Sequence, residues 1–597
     1  MLMANLRAVL TKPRISESHQ RNAFDCSSIT NMAYSTGYLD VCFHRACLAG
    51  SHVKLNRRIF QRTAAVNTAA FPTIDTHVEF FYVPIRLLDH YFSNFKLNIQ
   101  DYNSSLMGTS LTDSFTPVSV SRTPVFDLKG LANQLKGYMQ DGITSVVGYN
   151  YSAIARKDFA LGAARLLDGL GYGFFDPSKG AYNSSLTESF QVNPYMLAAY
   201  QKVYYDHFRN TAYESNNPIA YNLDNVYTSL NSGVIPLNSY QMNSLLQYRR
   251  VNYRKDYFQA LYPALNYVQS SPSGFQQWAI PNSVMYSITP SNTSYSSVVT
   301  QNESSGGQTY LGSPNAANGS RSLTTVQQIR AAFALDKLLR ASAYAPKHVK
   351  DQFEARFGVK GIESDNESVR IGAFMNDIII REVLQTSKDT TDGSSTANGL
   401  GDFGGVGTGM SNFENDDIDW TCKEDCIILG LIYSLPRTVY DSTRLDNWNS
   451  KTNREDFVQP EFMDLGLQPQ YNFEQQSVRY YSSNLEESGT MDANALLNSV
   501  VGYVDRYQEY KIGIDTNRGA FNEYYPLSVF VNHSNYVRSS SFSGVSSDYF
   551  KVDPEDMNDI FVVAHSLGFG VAEHYVTNIL VKCIVNQNLS VHGQPRI

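Results

Sequence analysis

The run "HYVTNILVKCIVNQ" near the end of the chain most constrains what the chain can fold into. Tyr575, Thr577, Ile579, Val581, Cys583 and Val585 recur at every second position, the period of a strand with one buried face. Similar runs lie at the other extreme. "YLDVCFHRACL" (Tyr38–Leu48) and "HVKLNRRIFQRTA" (His52–Ala64) are separated by "AGS", and "IDTHVEFFYV" follows with Val78, Phe80 and Tyr82 on one face. "DIFVVAH" (Asp559–His565) reads as a strand just before the last one. Strands at both ends of a 597-residue chain imply one sheet system closed by its two ends, with most of the middle inserted.

The inserted middle has its own grammar. In "THVEFFYVPIRLLDHYFSNF" the alternation stops at Pro84, which cannot donate to a ladder. Leu88, Tyr91 and Phe95 are then expected to pack a short helix against the sheet's end. "VNPYMLAAYQKVYYDHFRN" spaces Leu197, Tyr200, Tyr204 and Phe208 as a helix does, with Pro194 suited to its first turn. "LTTVQQIRAAFALDKLLRASA" predicts a second helix that ends before Pro346. Two stretches read as long loops. Ser270–Ser322 is rich in Ser, Asn, Gly and Thr, and its only charges are Glu303 and Arg321. Thr386–Asn412 is richer in glycine and is expected to be a flexible loop.

Charged residues make up 17% of the chain, below the roughly 25% usual for soluble domains. Aromatics reach 13%, with 40 Tyr, 32 Phe and 3 Trp. Tyrosine joins an apolar ring to a hydrogen-bonding tip, which suits extensive, partly wet contacts. A large β-rich protein with Tyr in its sheets also accounts for much of this excess. The net charge is −8, so contact with nucleic acid must be local. Between Asp40 and Asp75 lie Arg45, Lys54, Arg57, Arg58 and Arg62 with no acid among them, and the N-terminus carries Arg7, Lys12 and Arg14. The competing reading is a solvated strand face and a frayed terminus.

Motifs for chemistry are scarce. "GLGDFG" (Gly399–Gly404) matches GxGxxG but lacks a preceding strand and a following helix, so a glycine loop is the better reading. Cys42-x-His44-x-x-Cys47 has no second ligand pair at zinc-finger spacing, and six cysteines in this length make no disulfide framework. "NFENDDIDW" gathers Glu414, Asp416, Asp417 and Asp419, which reads as an acidic turn before a strand or, less simply, a cation site. No nucleophile–base motif is present, so neither an enzyme nor a cofactor is expected. No signal peptide and no membrane span are expected either.

Several segments together resemble the major capsid protein of the Microviridae, small phages with circular single-stranded DNA. They are "RNAFD" (Arg21–Asp25), "RTAAVNTAAF" with "VEFFYVPIRLL", "YQKVYYDHFRN" (Tyr200–Asn210), "RKDYFQALYP" (Arg254–Pro263), "IRAAFALDKLLRASA", "GYVDRYQEYKIGIDTNRGAF" (Gly502–Phe521) and "NLSVHGQPRI". Asp505 stands where the family's motif usually has Glu. "LLDGLGYGFF" (Leu166–Phe175) is similar to the gokushovirus and Bacteroidetes-associated branches. The shared order of these segments carries the resemblance. The least familiar portions are about 96–190 and 270–322.

The resemblance implies a single subunit, residues 1–597, with an eight-stranded antiparallel jelly roll and long inserted loops. It implies residues 1–30 as an N-terminal arm, 96–190 as an inserted loop region, 270–322 as a surface protrusion and 386–412 as the flexible glycine loop. It implies an icosahedral (T=1) shell around single-stranded DNA, assembled in the bacterial host's cytoplasm from copies of itself. An internal scaffolding protein, a DNA pilot protein and a host cell-surface receptor would be its further partners. Candidate DNA contacts are Lys12, Arg14, Arg57, Arg58, Arg62, Arg249, Arg250, Arg254 and Lys255, the last four competing with a subunit–subunit role. Candidate host-contact residues are Trp278, Tyr286, Tyr295 and Tyr310. The alternative from another class is a secreted carbohydrate-binding β-sandwich lectin or adhesin, which requires export. A hydrolase on a β-sandwich ranks third.

Overall fold

The computed structural model describes residues 21–66, 73–97, 123–139, 153–173, 177, 190–228, 233–263, 330, 334, 337, 349–359, 366–384, 403–411, 417–441, 444–475, 499–522, 527, 545–557, 560–561 and 573–591. Ten strands build its centre: β1 (Asn22–Asp25), β2 (Ser28–Tyr34), β3 (Asp40–Cys47), β4 (His52–Val66), β5 (Ile74–Pro84), β6 (Val369–Leu384), β7 (Phe403–Ser411), β8 (Ile418–Thr421), β9 (Cys426–Pro436) and β10 (Tyr575–Gln587). The hydrogen-bonded path runs β1-β10-β4-β7-β6-β5-β9-β3, with β2 also on β10 and β8 also on β4. The ladders along it are antiparallel. The expected closure is present: β1 and β2, from the start of the chain, share one edge of β10, from its end.

The path folds into two layers because β6 belongs to both. Val369–Ile378 pairs with β5, and Ile379–Leu384 pairs with β7. The front sheet is β3-β9-β5 with the first half of β6; the back sheet is the second half of β6 with β7, β4, β10, β1, β2 and β8. Residues from both meet in one core that includes Ile59, Val78, Phe80, Ile428, Ile432, Ile579 and Val581. This is an antiparallel β-sandwich of the jelly-roll class.

Alternation holds where one face is open and fails where neither is. β10 buries Tyr575, Thr577, Ile579, Val581, Cys583 and Val585, as its period requires. β9, "CIILGLIYSLP", is buried at nearly every position. Its second face lies under helices α2 (Leu128–Met139), α3 (Ala153–Gly169), α4 (Tyr195–Val203) and α5 (Tyr240–Leu245), which follow the short α1 (Phe92–Lys96). Leu131, Leu135, Ala163, Leu197 and Leu245 from these helices join Phe81, Val83, Leu429 and Leu431 in a second core. Gly430 sits mid-strand because a Cβ there would lie 2.9 Å from both Phe43 Cβ and the Phe80 ring.

Four expectations need revision. Residues 96–190 are not only loop: α2 and α3 within them bury Leu131, Leu135, Leu166 and Leu167. The glycine-rich segment is not only a flexible loop either, because Phe403–Ser411 forms β7 between β4 and β6. At Gly409 a Cβ would come within 2.9 Å of Asn376 Nδ2 and 3.3 Å of the Asp377 carbonyl, so glycine permits the close approach where β6 crosses between sheets. Phe95 is exposed, while Leu88 is fully buried and Tyr91 stacks edge-on with Tyr227. Ile560 lies in a turn, so the strand expected over Asp559–His565 does not start there; Val562–His565 lie outside the described residues. The helix expected before Pro346 is also mostly outside them, although Arg330, Ala334 and Lys337 are helical. A further helix, Val349–Phe357, follows that proline. Among the described residues no helix is long and apolar enough to cross a membrane.

Tyrosine has a specific use in the packing. Tyr195 and Tyr227 donate to Asp89 at 2.7 and 2.8 Å. Tyr433 donates to Glu79 at 2.8 Å, Tyr440 to Asp256 at 2.7 Å and Tyr257 to Glu474 at 3.0 Å. Asp89, Asp256 and Glu474 are thereby satisfied by neutral donors, avoiding the desolvation of a second charge, whereas Glu79 also lies 3.5 Å from the exposed Arg370. Burial pushes the carboxyl groups of Asp89 and Glu474 up, and these hydrogen bonds oppose it.

His574 supplies a pH prediction. It is buried at the start of β10, and its Nδ1 accepts from the Thr36 backbone N–H at 3.1 Å. Burial pushes its pKa down to about 4, against about 6.5 in the unfolded chain. Because the folded value is depressed, its stabilising contribution is present above pH 6.5 and is lost as pH falls toward 4. The loss is on the order of 3 kcal/mol. Melting temperature measured between pH 7 and 4.5 should fall less in His574→Asn, which keeps an acceptor but cannot be protonated there. An equal fall in both proteins would contradict this assignment.

Candidate nucleic-acid interface

The acid-free segment of the sequence is β4, and the strand period divides its cations. Val53, Leu55, Arg57, Ile59 and Gln61 point into the sandwich; Lys54, Arg58, Phe60 and Arg62 point outward. Arg57 is 1% exposed, with its guanidinium carbon 4.5 Å from the centre of the Phe374 ring. Its charge is held inside the subunit, so Arg57 leaves the set of candidate DNA contacts. Arg58 and Arg62 are exposed, and among the described residues neither forms an ion pair.

Register extends this face across the back sheet. Successive rungs read Ile29–Leu580–Arg58, then Asn31–Asn578–Phe60–Met410, then Ala33–Val576–Arg62–Thr408. None of these residues is acidic. Lys582 adds a cation opposite Asn56, one pair further along. Phe60 is 44% exposed, Met410 56% and Val576 61%. The result is an open surface on which separated cations alternate with apolar and amide groups. Sequence reasoning missed Lys582, Asn578 and Phe60. The signal was the parity of β10: if its odd positions are buried, its even positions must face out beside β4.

The acidic cluster lies at the rim of this face. β8 pairs with the start of β4, and Asp419 reaches His52 Nε2 at 2.8 Å and Lys54 Nζ at 3.7 Å. Asp417 accepts from Asn56 Nδ2. Lys54 is thereby partly neutralised, whereas Arg58 and Arg62 stand clear. Glu414 and Asp416 lie outside the described residues. Cys42 and Cys47 are buried, His44 is exposed, and no group of His, Cys, Asp or Glu among the described residues is arranged to hold a metal.

The second basic group also divides. Arg249 is buried, with Nε donating to Gln201 at 2.8 Å and Nη2 to the Tyr205 hydroxyl at 2.8 Å. Its guanidinium lies 4.5 Å and 4.8 Å from the Tyr204 and Tyr205 ring centres. It clamps α4 to the segment after α5 and also leaves the candidate set. Arg250 is half-buried, 3.9 Å from Asp548; Arg254 and Lys255 are exposed. Lys12, Arg14, Trp278, Tyr286, Tyr295 and Tyr310 lie outside the described residues.

Lysine cannot reproduce the Arg249 clamp, because its ammonium lacks the planar fork. Breaking a buried charged network of this kind costs about 3–5 kcal/mol. Arg249→Lys should therefore lower the melting temperature by several degrees in calorimetry, while DNA affinity per folded molecule stays unchanged. A lost affinity with unchanged stability would return Arg249 to the interface.

Comparison with known proteins agrees with this architecture. The family model described as "Capsid protein (F protein)" matches residues 14–149 and 179–591. The unmatched block between them contains α3, one of the helices over the front sheet. No curated protein gives a match. With the match covering most of its length and a jelly-roll sandwich at its centre, the chain belongs to the F-protein family of phage capsid proteins, structural proteins of the virion shell.

Proposed function

We propose that the subunit assembles into a closed icosahedral shell around circular single-stranded DNA and meets that DNA through the open face of the back sheet. The observation that carries this reading is the set of rungs bearing Arg58 and Arg62 without a carboxylate among them, with Lys582 one pair further along. Cations spaced along an exposed sheet suit phosphate contact, and Phe60 offers a ring on which an unpaired base can stack. The overall charge of −8 confines such contact to this face and other local patches. It also discourages subunits from coating nucleic acid indiscriminately.

Assembly with an internal scaffolding protein and a DNA pilot protein, and attachment to a host surface receptor through 270–322, complete the proposal. Trp278, Tyr286, Tyr295 and Tyr310 give that segment aromatic contact area with few charges to desolvate.

Each phosphate contact on a single strand contributes about 0.7 to the salt slope of binding. Arg58→Ala with Arg62→Ala should lower affinity for single-stranded DNA of every sequence and flatten that slope by about 1.4. An unchanged slope would remove this face from the genome contact. Deleting 270–322 should leave shells visible by electron microscopy but abolish adsorption to cells; infectious shells without the segment would sink the attachment role.

A further inference from the structure

The path of strands has two free ends, and they face each other across a groove. Among the described residues β3 pairs only with β9, and β2 pairs only with β10. The groove, of about 750 Å³, lies between these two edges and against the end of α3. The edge of β2 is unsatisfied. The Tyr34 carbonyl accepts from the His574 N–H beside β10, whereas the Ala33 carbonyl accepts from Arg165 Nη2 on the other side. Odd positions of β2 therefore turn their N–H and C=O groups away from β10. Ile29 and Asn31 are exposed, and among the described residues no group meets these outward N–H and C=O groups. Such an edge is a template for another strand. The groove is also acidic, with Asp40, Asp168 and Glu573 in its lining against Arg165. Arg165 is already committed, 3.6 Å from Asp40 and 3.3 Å from Glu573. Asp168 is exposed and forms no ion pair among the described residues.

We propose that this groove receives the N-terminal arm of a neighbouring copy of the chain, with residues 5–12 added as a strand parallel to β2. The arm is opposite in sign to the groove: residues 1–20 carry Arg7, Lys12 and Arg14 against Glu17. In "NLRAVLTKP", Leu6, Ala8, Leu10 and Lys12 share one face of a strand, and Pro13 ends the ladder. The three apolar residues lie over Met32 and Phe43, and Lys12 meets Asp168 and Glu573. Arg7, on the other face, joins the open side of the back sheet. The subunit's own arm does not fit in this way. It would have to double back ahead of Asn22 and run antiparallel to β1 and β2, yet residues 1–36 hold no glycine for a tight hairpin turn. Doubling back at Gln20–Arg21 would also set Lys12 beside Ile29, roughly 13 Å short of the carboxylates near Ala33. An arm arriving from another copy can run parallel and bring Lys12 to them. Each subunit then gives one strand and receives one, so a closed shell leaves no β2 edge unpaired.

This inference rests on the shell-assembly reading but fails separately from it. The test treats shells of the full-length chain with a water-soluble carbodiimide, which joins an ammonium and a carboxylate in contact as an amide. Mass spectrometry of bands from a denaturing gel should find Lys12 joined to Asp168 or Glu573 in bands of two or more chains and not in the single-chain band. Lys12→Arg keeps the charge but lacks the reactive amine; its shells should form and the junction should be lost. Hydrogen exchange gives a readout that needs no variant: the Asn31 N–H should exchange slower by roughly ten-fold or more in shells than in unassembled subunits. A junction found in the single-chain band would assign the groove to the subunit's own arm and overturn the proposal. Slowed exchange at Asn31 with no Lys12 junction would assign the groove to another segment or to the scaffolding protein, and would overturn it too. Shells with neither the junction nor the slowed exchange would have an open groove and would also contradict it. A full-length chain that forms no shells, even with its phage partners, would sink the assembly reading itself.

Discussion

Burial of the front sheet on both faces is the constraint on which the rest of the structure depends. β9 lies at its middle, between β3 and β5, and its side chains enter two cores. One core joins the front sheet to the back sheet; the other joins it to α2–α5. A strand with no wet face cannot slip in register without moving a whole set of side chains, because one residue of slip exchanges the faces. The helices and the back sheet are thus fixed relative to one another through a single strand. Among the described residues the back sheet is covered on one side only, which leaves Arg58, Phe60 and Arg62 on an open face.

The sequence makes the back sheet easier to read than the front. β10 has one wet face, so its alternation is visible in the residue order, and pairing with the chain's first strands follows from it. β9 has no wet face, and a run of eleven residues buried almost throughout carries no period to read. β7 was hidden for a different reason. Its glycines look like a loop in the sequence, and the reason for Gly409, close approach to Asn376 and Asp377 of β6, is invisible there. Residues 150–178, unmatched by the family, contain a helix whose apolar positions only make sense against the front sheet.

The site divides in the same way. A cluster of arginines is legible as composition, but the strand period decides their fates: Arg57 enters the core beside Phe374, while Arg58 and Arg62 face out. Arg249 and Arg250 are adjacent in sequence, yet the first is sealed between tyrosine rings. Lys582 and Phe60 join the face only through register between strands more than five hundred residues apart. The tyrosine excess acquires a cause only when Asp89, Asp256 and Glu474 are seen each to be held by tyrosine hydroxyls.

The central claim is that the open back-sheet face is the one turned toward the genome. Electron cryomicroscopy of DNA-filled shells, reconstructed with the symmetry of the particle, measures this orientation directly. The account predicts that Arg58, Phe60 and Arg62 line the lumen with nucleic-acid density against them. Finding those residues on the outer surface of the shell, or sealed between neighbouring subunits with no density beside them, would contradict it.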